Sequence, residues 1–364
     1  MHSMALAGDR DKIVVGVDTH KYVHVAVAIN SLGVYQDDLT VASDAGGYHR
    51  LEQWARLLGD VQTFGVEGTN SYGRGLTSYL LSHNHRVIEV VRPDRRARRL
   101  NGKSDILDAE AAARSVLAGT SRARAKSGDG LVEAIREIKA TRDGARKART
   151  AAITSLRNLL LNAPQALRDQ LESLAVAALV ERCAGFRVVA VDSPTSAAKF
   201  SLRALARRYL LLTEEMVAQG KLLDALTREV APRLREGYCI GADSAAALLV
   251  AFGDNAERVP SEAAFAKLCG VAPQPASSGM TTRHRLSRGG NRQANAALHH
   301  VVVVRMHHDS RTRYYVLKRT KEGLTKKEIM RCLKRYVARE VYSRVREDLA
   351  AEASDDREIR QLDI

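Results

Sequence analysis

The sequence predicts an α/β domain on a mixed sheet, then a long helical middle, then a mainly helical C-terminal domain. Three patterns carry that expectation. Short β-branched apolar runs alternate with helical spacings over residues 11–91. Heptad spacing is sustained twice between residues 128 and 230. Beyond residue 237, small-residue helical segments flank a loop rich in Gly, Pro and Ser. The expected units are 11–127, 128–230 and 231–345, with 346–364 as a polar, flexible tail.

IVVGVD (13–18) is a short apolar run of the kind a buried strand shows. VHVAVAI (23–29) and VYQDDLTV (34–41) follow, joined through Ser31, Leu32 and Gly33. Together they predict an antiparallel meander. Leu51, Trp54, Leu57 and Leu58 have helical spacing, TFGVEG (63–68) is the next strand, Leu76, Leu80 and Leu81 mark a helix, and RVIEVV (86–91) a strand. After Pro93 the chain turns basic. RPDRRARRLNGK (92–103) holds six basic residues against one acid. Ser104 is a suitable N-cap for a helix through DILDAEAAARSVLA.

In the middle region, positions 131, 135, 138, 142, 145, 149, 152, 156 and 159 form one seam, interrupted by Arg142 and Arg149. Positions 202, 205, 209, 212, 216, 219, 223, 226 and 230 form the other. Such seams pack as a coiled coil, either between chains or as an antiparallel hairpin within one. The C-terminal region reads as helices at ADSAAALLVAF (242–252) and SEAAFAKLCG (261–270), with Gly270 as a stop. QANAALHHVVVVRM (293–306) reads as helix or strand, and Thr325 and Glu328 form a capping box for a final helix through about Val345.

Charge narrows the class of partner. Among 364 residues, 57 Lys and Arg stand against 42 acids, a net +15, which points to a polyanion, usually nucleic acid. Cys183, Cys239, Cys269 and Cys332 are far apart, which excludes a CxxC zinc site and fits a reducing compartment. The N-terminal residues MHSMALAGDRDK lack a signal peptide's apolar core, and no uninterrupted apolar run suits a membrane span. No membrane partner is expected, and the location expected is a prokaryotic cytoplasm, with nucleoid association.

Four acids stand out. Asp18 and Glu67 each end an apolar strand, so their carboxylates emerge at the sheet rim. Asp105 and Asp108 share a helix face, with Cβ atoms about 5–6 Å apart. Acids in a first helical turn are favoured by the helix dipole alone, so neither is informative singly. The set on strand, strand and helix is arranged as in a ribonuclease-H-like nuclease. Phosphodiester chemistry by such acids uses Mg²⁺, which takes carboxylate oxygens and keeps several waters.

VGVDTHK (15–21), GVEGTNSYG (65–73) and VVRPDRRARRLNGKSDILDAEAAA (90–113) resemble the RuvC-type DEDD domain of the 110 family of insertion-sequence transposases. That resemblance implies that Asp18, Glu67, Asp105 and Asp108 are the metal-binding tetrad.

A second segment carries chemistry. From Ala263 to His308, 46 residues contain no acid, where the chain average gives about five, yet they hold Lys267, Arg283, Arg285, Arg288, Arg292 and Arg305. An acid-free arginine loop with glycines suits close approach to phosphates. Its PQPASSGMTTRHRLSRGGNRQANAALH core (273–299) resembles the same family's C-terminal transposase domain. The resemblance implies that the serine before Gly279, Ser278, is a covalent nucleophile; Ser277, one residue earlier, keeps the register open. It also implies DNA donor and target strands, a structured bridge RNA and a homo-oligomer, dimer or tetramer, with active sites shared between subunits. Arg92, Arg95, Arg96, Arg98, Arg99 and Lys103, with Arg142 and Arg149, join Arg283, Arg285, Arg288 and Arg292 as expected nucleic-acid contacts. The reading is therefore a serine-dependent transposase or recombinase. Its rivals are a Holliday-junction-resolvase-like metal nuclease using water and a noncatalytic nucleic-acid-binding protein. GYCIGADSAAALLVAFGD (237–254) resembles the helix-hairpin-helix of that family, where a Gly turn can hold a phosphate. His299, His300, His307 and His308 lack the Cys or HExxH context of a zinc site.

Overall fold

The computed structural model describes residues 12–90, 104–276, 284–285, 287 and 289–362, with side chains to residue 351. They divide into two compact units. One holds the chain up to Gly130 together with Phe252–Ala264; the other holds Leu131–Ala251 and the chain from Phe265.

The first unit is a five-stranded sheet flanked by helices. Its elements are β1 (Lys12–Thr19), β2 (Val23–Asn30), β3 (Tyr35–Ala42), α1 (Ala45–Leu58), β4 (Asp60–Glu67), α2 (Arg74–Ser82), β5 (Val87–Val90) and α3 (Asp105–Leu117). The strand order is β3-β2-β1-β4-β5. β1 pairs antiparallel with β2 and parallel with β4; β2 and β3 are antiparallel, β4 and β5 parallel. This is the mixed sheet expected of a ribonuclease-H-like domain.

Alternation along the strands sorts residues between two faces. Ile13, Val15, Val17, Phe64 and Val66 pack with Leu51, Ala55, Leu76 and Leu80 of α1 and α2. Val14, Val25, Val27 and Ile29 pack instead with Ala109 and Ala113 of α3. Gly16 and Gly65 are register partners on this second face. A Cβ on Gly16 would overlap the Ala109 carbonyl oxygen and the Ala113 amide nitrogen, and one on Gly65 would lie 2.6 Å from Val116 Cγ2. The helix therefore lies backbone-close on the sheet, which only glycine opposite an alanine stripe permits.

Residues 252–264 complete this unit although they lie far along the chain. Asn255 Nδ2 donates to the Ala125 carbonyl at 3.0 Å, and Arg258 pairs with Glu89 of β5 at 3.0 Å.

The second unit is helical: α4 (Leu131–Leu161), α5 (Gln165–Leu171), α6 (Val176–Ala184), α7 (Pro194–Val230), α8 (Pro232–Arg235), α9 (Ala242–Phe252), α10 (Glu262–Leu268), α11 (Arg292–His308), α12 (Ser310–Lys321) and α13 (Lys326–Leu362), with strands β6 (Gln274–Pro275) and β7 (His284–Arg285). The last residue of α9 and the first half of α10 fall in the first unit. The two heptad segments are α4 and α7, packed antiparallel within the chain: Arg142 meets Met216 and Arg149 meets Tyr209. α5 and α6, unmarked in the sequence reading, cap one end around Leu156, Leu160, Leu171 and Leu202. The final helix runs to Leu362 rather than about Val345 because its apolar spacing continues, with Val345 and Leu349 buried. Among the described residues no helix is long and apolar enough to cross a membrane.

The close approach at Gly16 yields a first prediction. Gly16→Ala drives a methyl group into the backbone of α3, and overpacking of this kind costs about 1–3 kcal/mol. Thermal denaturation is expected to show a clear fall in Tm. Gly46→Ala, where a Cβ meets only Asp44 Oδ1 at 3.5 Å, is expected to leave Tm unchanged or higher.

Candidate active site

Period-two alternation puts Asp18 on the same face as Gly16 and Glu67 on the same face as Gly65. Each acid sits two residues past the glycine against which α3 packs. The two strand ends are tied beyond their ladder, because Thr19 Oγ1 donates to the Glu67 carbonyl at 2.8 Å. After Glu67 the chain turns sharply through Gly68, whose φ of +67° suits glycine. The amides of Ser71 and Gly73 both donate to the Gly68 carbonyl.

α3 brings its first turn to this rim, with Ser104 at the N-cap and both Asp105 and Asp108 in that turn. Ser104 caps by position alone: its side chain makes no cap hydrogen bond, while its carbonyl accepts from the Asp108 amide at 3.0 Å. The positive end of the α3 dipole thus faces the acids.

Asp18, Glu67 and Asp108 are buried, at 6%, 6% and 8% exposure, whereas the Asp105 side chain is half exposed. Burial pushes the Asp18 carboxyl above its usual value of 3.8. His20 opposes that shift, and the like charges of Glu67, Asp108 and Asp105 reinforce it. The other three acids are therefore near enough to act on Asp18. Crowded carboxylates in a desolvated pocket suit a hard divalent cation, so the donor set fits Mg²⁺.

One neighbour of these acids is not among the site residues expected from the sequence. A tight turn, with the His20 amide donating to the Val23 carbonyl, brings His20 over the rim. Its Nε2 lies 3.1 Å from Asp18 Oδ2 and 3.5 Å from Asp105 Oδ2. Among the described residues, Asp18, His20 and Asp105 are the group whose ligand atoms converge tightly enough to hold a metal ion. Among the described residues the four C-terminal histidines belong to no such group. The available signal was His20 two residues past a strand-end acid, on a turn that folds back. His24, in contrast, is fully buried, bonded to Ser43 Oγ and stacked on Tyr48.

Of the other predicted residues, Arg92, Arg95, Arg96, Arg98, Arg99, Lys103, Ser277, Ser278, Arg283 and Arg288 lie outside the described residues. The feet of the serine loop are described. β6 and β7 pair antiparallel, Gln274 opposite Arg285 and Pro275 opposite His284. Below them Gly270 and Gly290, both at positive φ, stand back to back; a Cβ on Gly290 would lie 2.6 Å from the Gly270 amide nitrogen. The Asn291 amide donates to the Leu268 carbonyl at 2.6 Å, and Asn295 Nδ2 donates to the Cys269 carbonyl at 2.8 Å. Lys334 donates in turn to Asn295 Oδ1 at 2.7 Å. Arg285 and Arg292 are exposed on these feet. Arg142 instead binds Asp243 at 2.6 Å and the Met216 carbonyl at 3.2 Å, and Arg149 stacks over the Tyr209 ring.

Two family models match the chain. The DEDD transposase model of the IS110 type matches residues 15–163, and the model described as "Transposase IS116/IS110/IS902 family" matches residues 231–317. The first spans all four acids, the second the serine loop. No curated protein matches the chain at a significant level.

The raised Asp18 pKa fixes the sign of a second prediction. A carboxyl that ionises less readily folded than unfolded weakens the fold as pH rises from 3.8 through its folded value. At neutral pH without metal, Asp18→Asn is therefore expected to melt above the wild type. With Mg²⁺ the order is expected to invert, because only the wild type gains ligand stabilisation. A variant that still gains stability with Mg²⁺ would remove Asp18 from the metal site.

Proposed function

The chain belongs to the IS110 family of transposases, and on that premise we propose that it cleaves and rejoins insertion-sequence DNA through a covalent serine link. The acids at the sheet rim carry the reading: a buried Asp18 repelled by three neighbouring carboxylates is costly to fold unless a cation and a phosphate are to be bound there.

Asp18, Glu67, Asp105 and Asp108 hold the ion, for which Mg²⁺ is proposed, and keep the scissile phosphate in register. The bound ion supplies charge neutralisation at the phosphate and at the leaving oxygen. Ser278 Oγ attacks phosphorus, the phosphodiester bond to the leaving hydroxyl oxygen breaks, and the serine proton ends on that hydroxyl. The phosphoserine keeps one ester bond in place of another, so rejoining a new DNA hydroxyl needs no ATP. Residues 11–127 are the ion-dependent catalytic domain in this scheme, 128–230 the helical coiled-coil region and 231–345 the serine-bearing domain.

Membership in the family and the net charge of +15 support a structured bridge RNA as guide, with target choice residing in base pairing. Contacts to that RNA and to DNA are assigned to the basic run Arg92, Arg95, Arg96, Arg98, Arg99 and Lys103, and to Arg283, Arg285, Arg288 and Arg292. The protein acts as a homo-oligomer in the cytoplasm, on the nucleoid.

Denaturing gels of reactions with end-labelled element DNA test the serine step. Wild-type protein is expected to give a slow-migrating covalent adduct that protease removes, Ser278→Ala none, and Ser277→Ala an adduct at near wild-type yield. Strand exchange that persists in Ser278→Ala would assign the cleavage to water, as in a junction resolvase. Asp105→Ala is expected to lower the rate at least 100-fold while leaving DNA affinity within about twofold; unaltered recombination would overturn the metal reading.

A further inference from the structure

α12 packs against the rest of the second unit along one side only. None of its residues is buried, and Thr312, Tyr315, Val316 and Arg319 are half-buried. At about 3.6 residues per turn these four fall within an arc of about 100°. Arg311, Arg313, Tyr314, Leu317, Lys318 and Lys321 occupy the rest of the circumference, and all six are exposed. Tyr314 and Leu317, at 69% and 63% exposure, sit in the middle of that outward side.

The charges sort the same way. α12 carries Arg311, Arg313, Lys318, Arg319 and Lys321 and no acid. The inward cation is matched: Arg319 pairs with Glu322 and lies over the Tyr315 ring, which meets Tyr336 edge-on. The four outward cations, Arg311, Arg313, Lys318 and Lys321, pair with no described residue. Two acids share a cleft with Arg311 and Lys318, and both are engaged elsewhere. Asp309 caps α12, accepting from the Thr312 amide at 2.9 Å, and Glu340 takes Arg305 at 2.7 Å. Surface helices commonly set cations against acids one turn away. Here the outward cations have no such partner, and a tyrosine and a leucine lie among them.

We propose that α12 is a docking helix for duplex DNA. Its four outward cations meet phosphates bordering a groove, and Tyr314 and Leu317 meet base edges between them. Shape selects duplex DNA as the occupant. A helix about 10–12 Å across enters the B-form major groove, about 12 Å wide, whereas the A-form major groove of duplex RNA is too narrow. Twelve residues give α12 a length of about 18 Å, roughly half of one duplex turn. The proposal rests on the family's DNA substrate and not on Ser278 as nucleophile.

The native lysines allow a test without substitution. Phosphate contacts from duplex DNA carrying an element end are expected to slow acetylation of Lys318 and Lys321 by about fivefold or more. Exposed Lys221 of α7 is expected to react at its former rate, both read by peptide mass spectrometry. Fluorescence anisotropy with the same duplex over a salt series supplies the second readout. Arg311→Ala/Arg313→Ala/Lys318→Ala/Lys321→Ala is expected to lower the slope of log affinity against log salt by about 3–4, roughly one per lost phosphate contact. Its Tm is expected to match the wild type, because every replaced side chain is exposed. Tyr314→Ala/Leu317→Ala is expected to weaken duplex binding about tenfold with the slope unchanged. Arg207→Ala/Arg208→Ala, on the exposed side of α7, is expected to keep the wild-type slope.

Unprotected lysines together with a wild-type slope in the quadruple variant would overturn the docking helix. Protection by a structured RNA but not by duplex DNA would overturn it in favour of an RNA site. Recombination that persists in Ser278→Ala would remove the serine step, whereas lysine protection by duplex DNA would still support α12.

Discussion

The packing of α3 against Gly16 and Gly65 is the contact on which the acidic site depends. Side chains on both surfaces normally hold a helix away from a sheet. Here two glycines on adjacent strands, facing Ala109, Ala112 and Ala113, remove that spacer. The strand acids sit two residues beyond the glycines, and the helix acids sit in the turn before the alanines. Closing the glycine–alanine contact therefore brings the four carboxylates together. The sequence G-V-D in β1, G-V-E in β4 and D-x-x-D-A-x-x-A-A in α3 encodes one geometric device, not three motifs.

That device sets up an electrostatic conflict that packing alone cannot relieve. Apolar burial of β1 on both faces drives the unit together, and it carries Asp18 into a desolvated site beside three other acids. His20 and the N-terminal end of α3 offset part of the repulsion. Glu89, also at the sheet end, shows the structural alternative: it takes Arg258 as a partner.

Period-two and heptad patterns made most of the fold legible, because each repeats over many residues and reports a buried face. All five strands of the first unit's sheet and the two helices of the hairpin follow from such patterns. What escaped has no such period. α5 and α6 are short and pack end-on against the hairpin. The return of residues 252–264 to the first unit rests on single contacts, Asn255 to Ala125 and Arg258 to Glu89. His20 joined the acids through a turn, and turns place side chains by φ and ψ rather than by spacing. Heptad spacing found the seam, but it could not distinguish a hairpin within one chain from a pairing between chains.

The same distinction governs the arginines. A net charge of +15 points to a polyanionic partner, but not to the residues that would meet it. Arg142 looked like an interruption of an apolar seam; in the folded unit its guanidinium holds Asp243 and a helix carbonyl, so it stabilises the hairpin. Arg149 lies over Tyr209 in the same seam. Arg311, Arg313, Lys318 and Lys321 gave no local signal, because basic residues on a charged helix are usually a solvated face. What separates them is their side of α12, opposite its half-buried stripe and without a described acid to meet them. The glycine clasp at Gly270 and Gly290, held by Asn295 and Lys334, fixes the loop feet that carry Arg285 and Arg292. In both units, then, a backbone contact that glycine permits decides which charged side chains are brought together, and the charge itself is only the raw material.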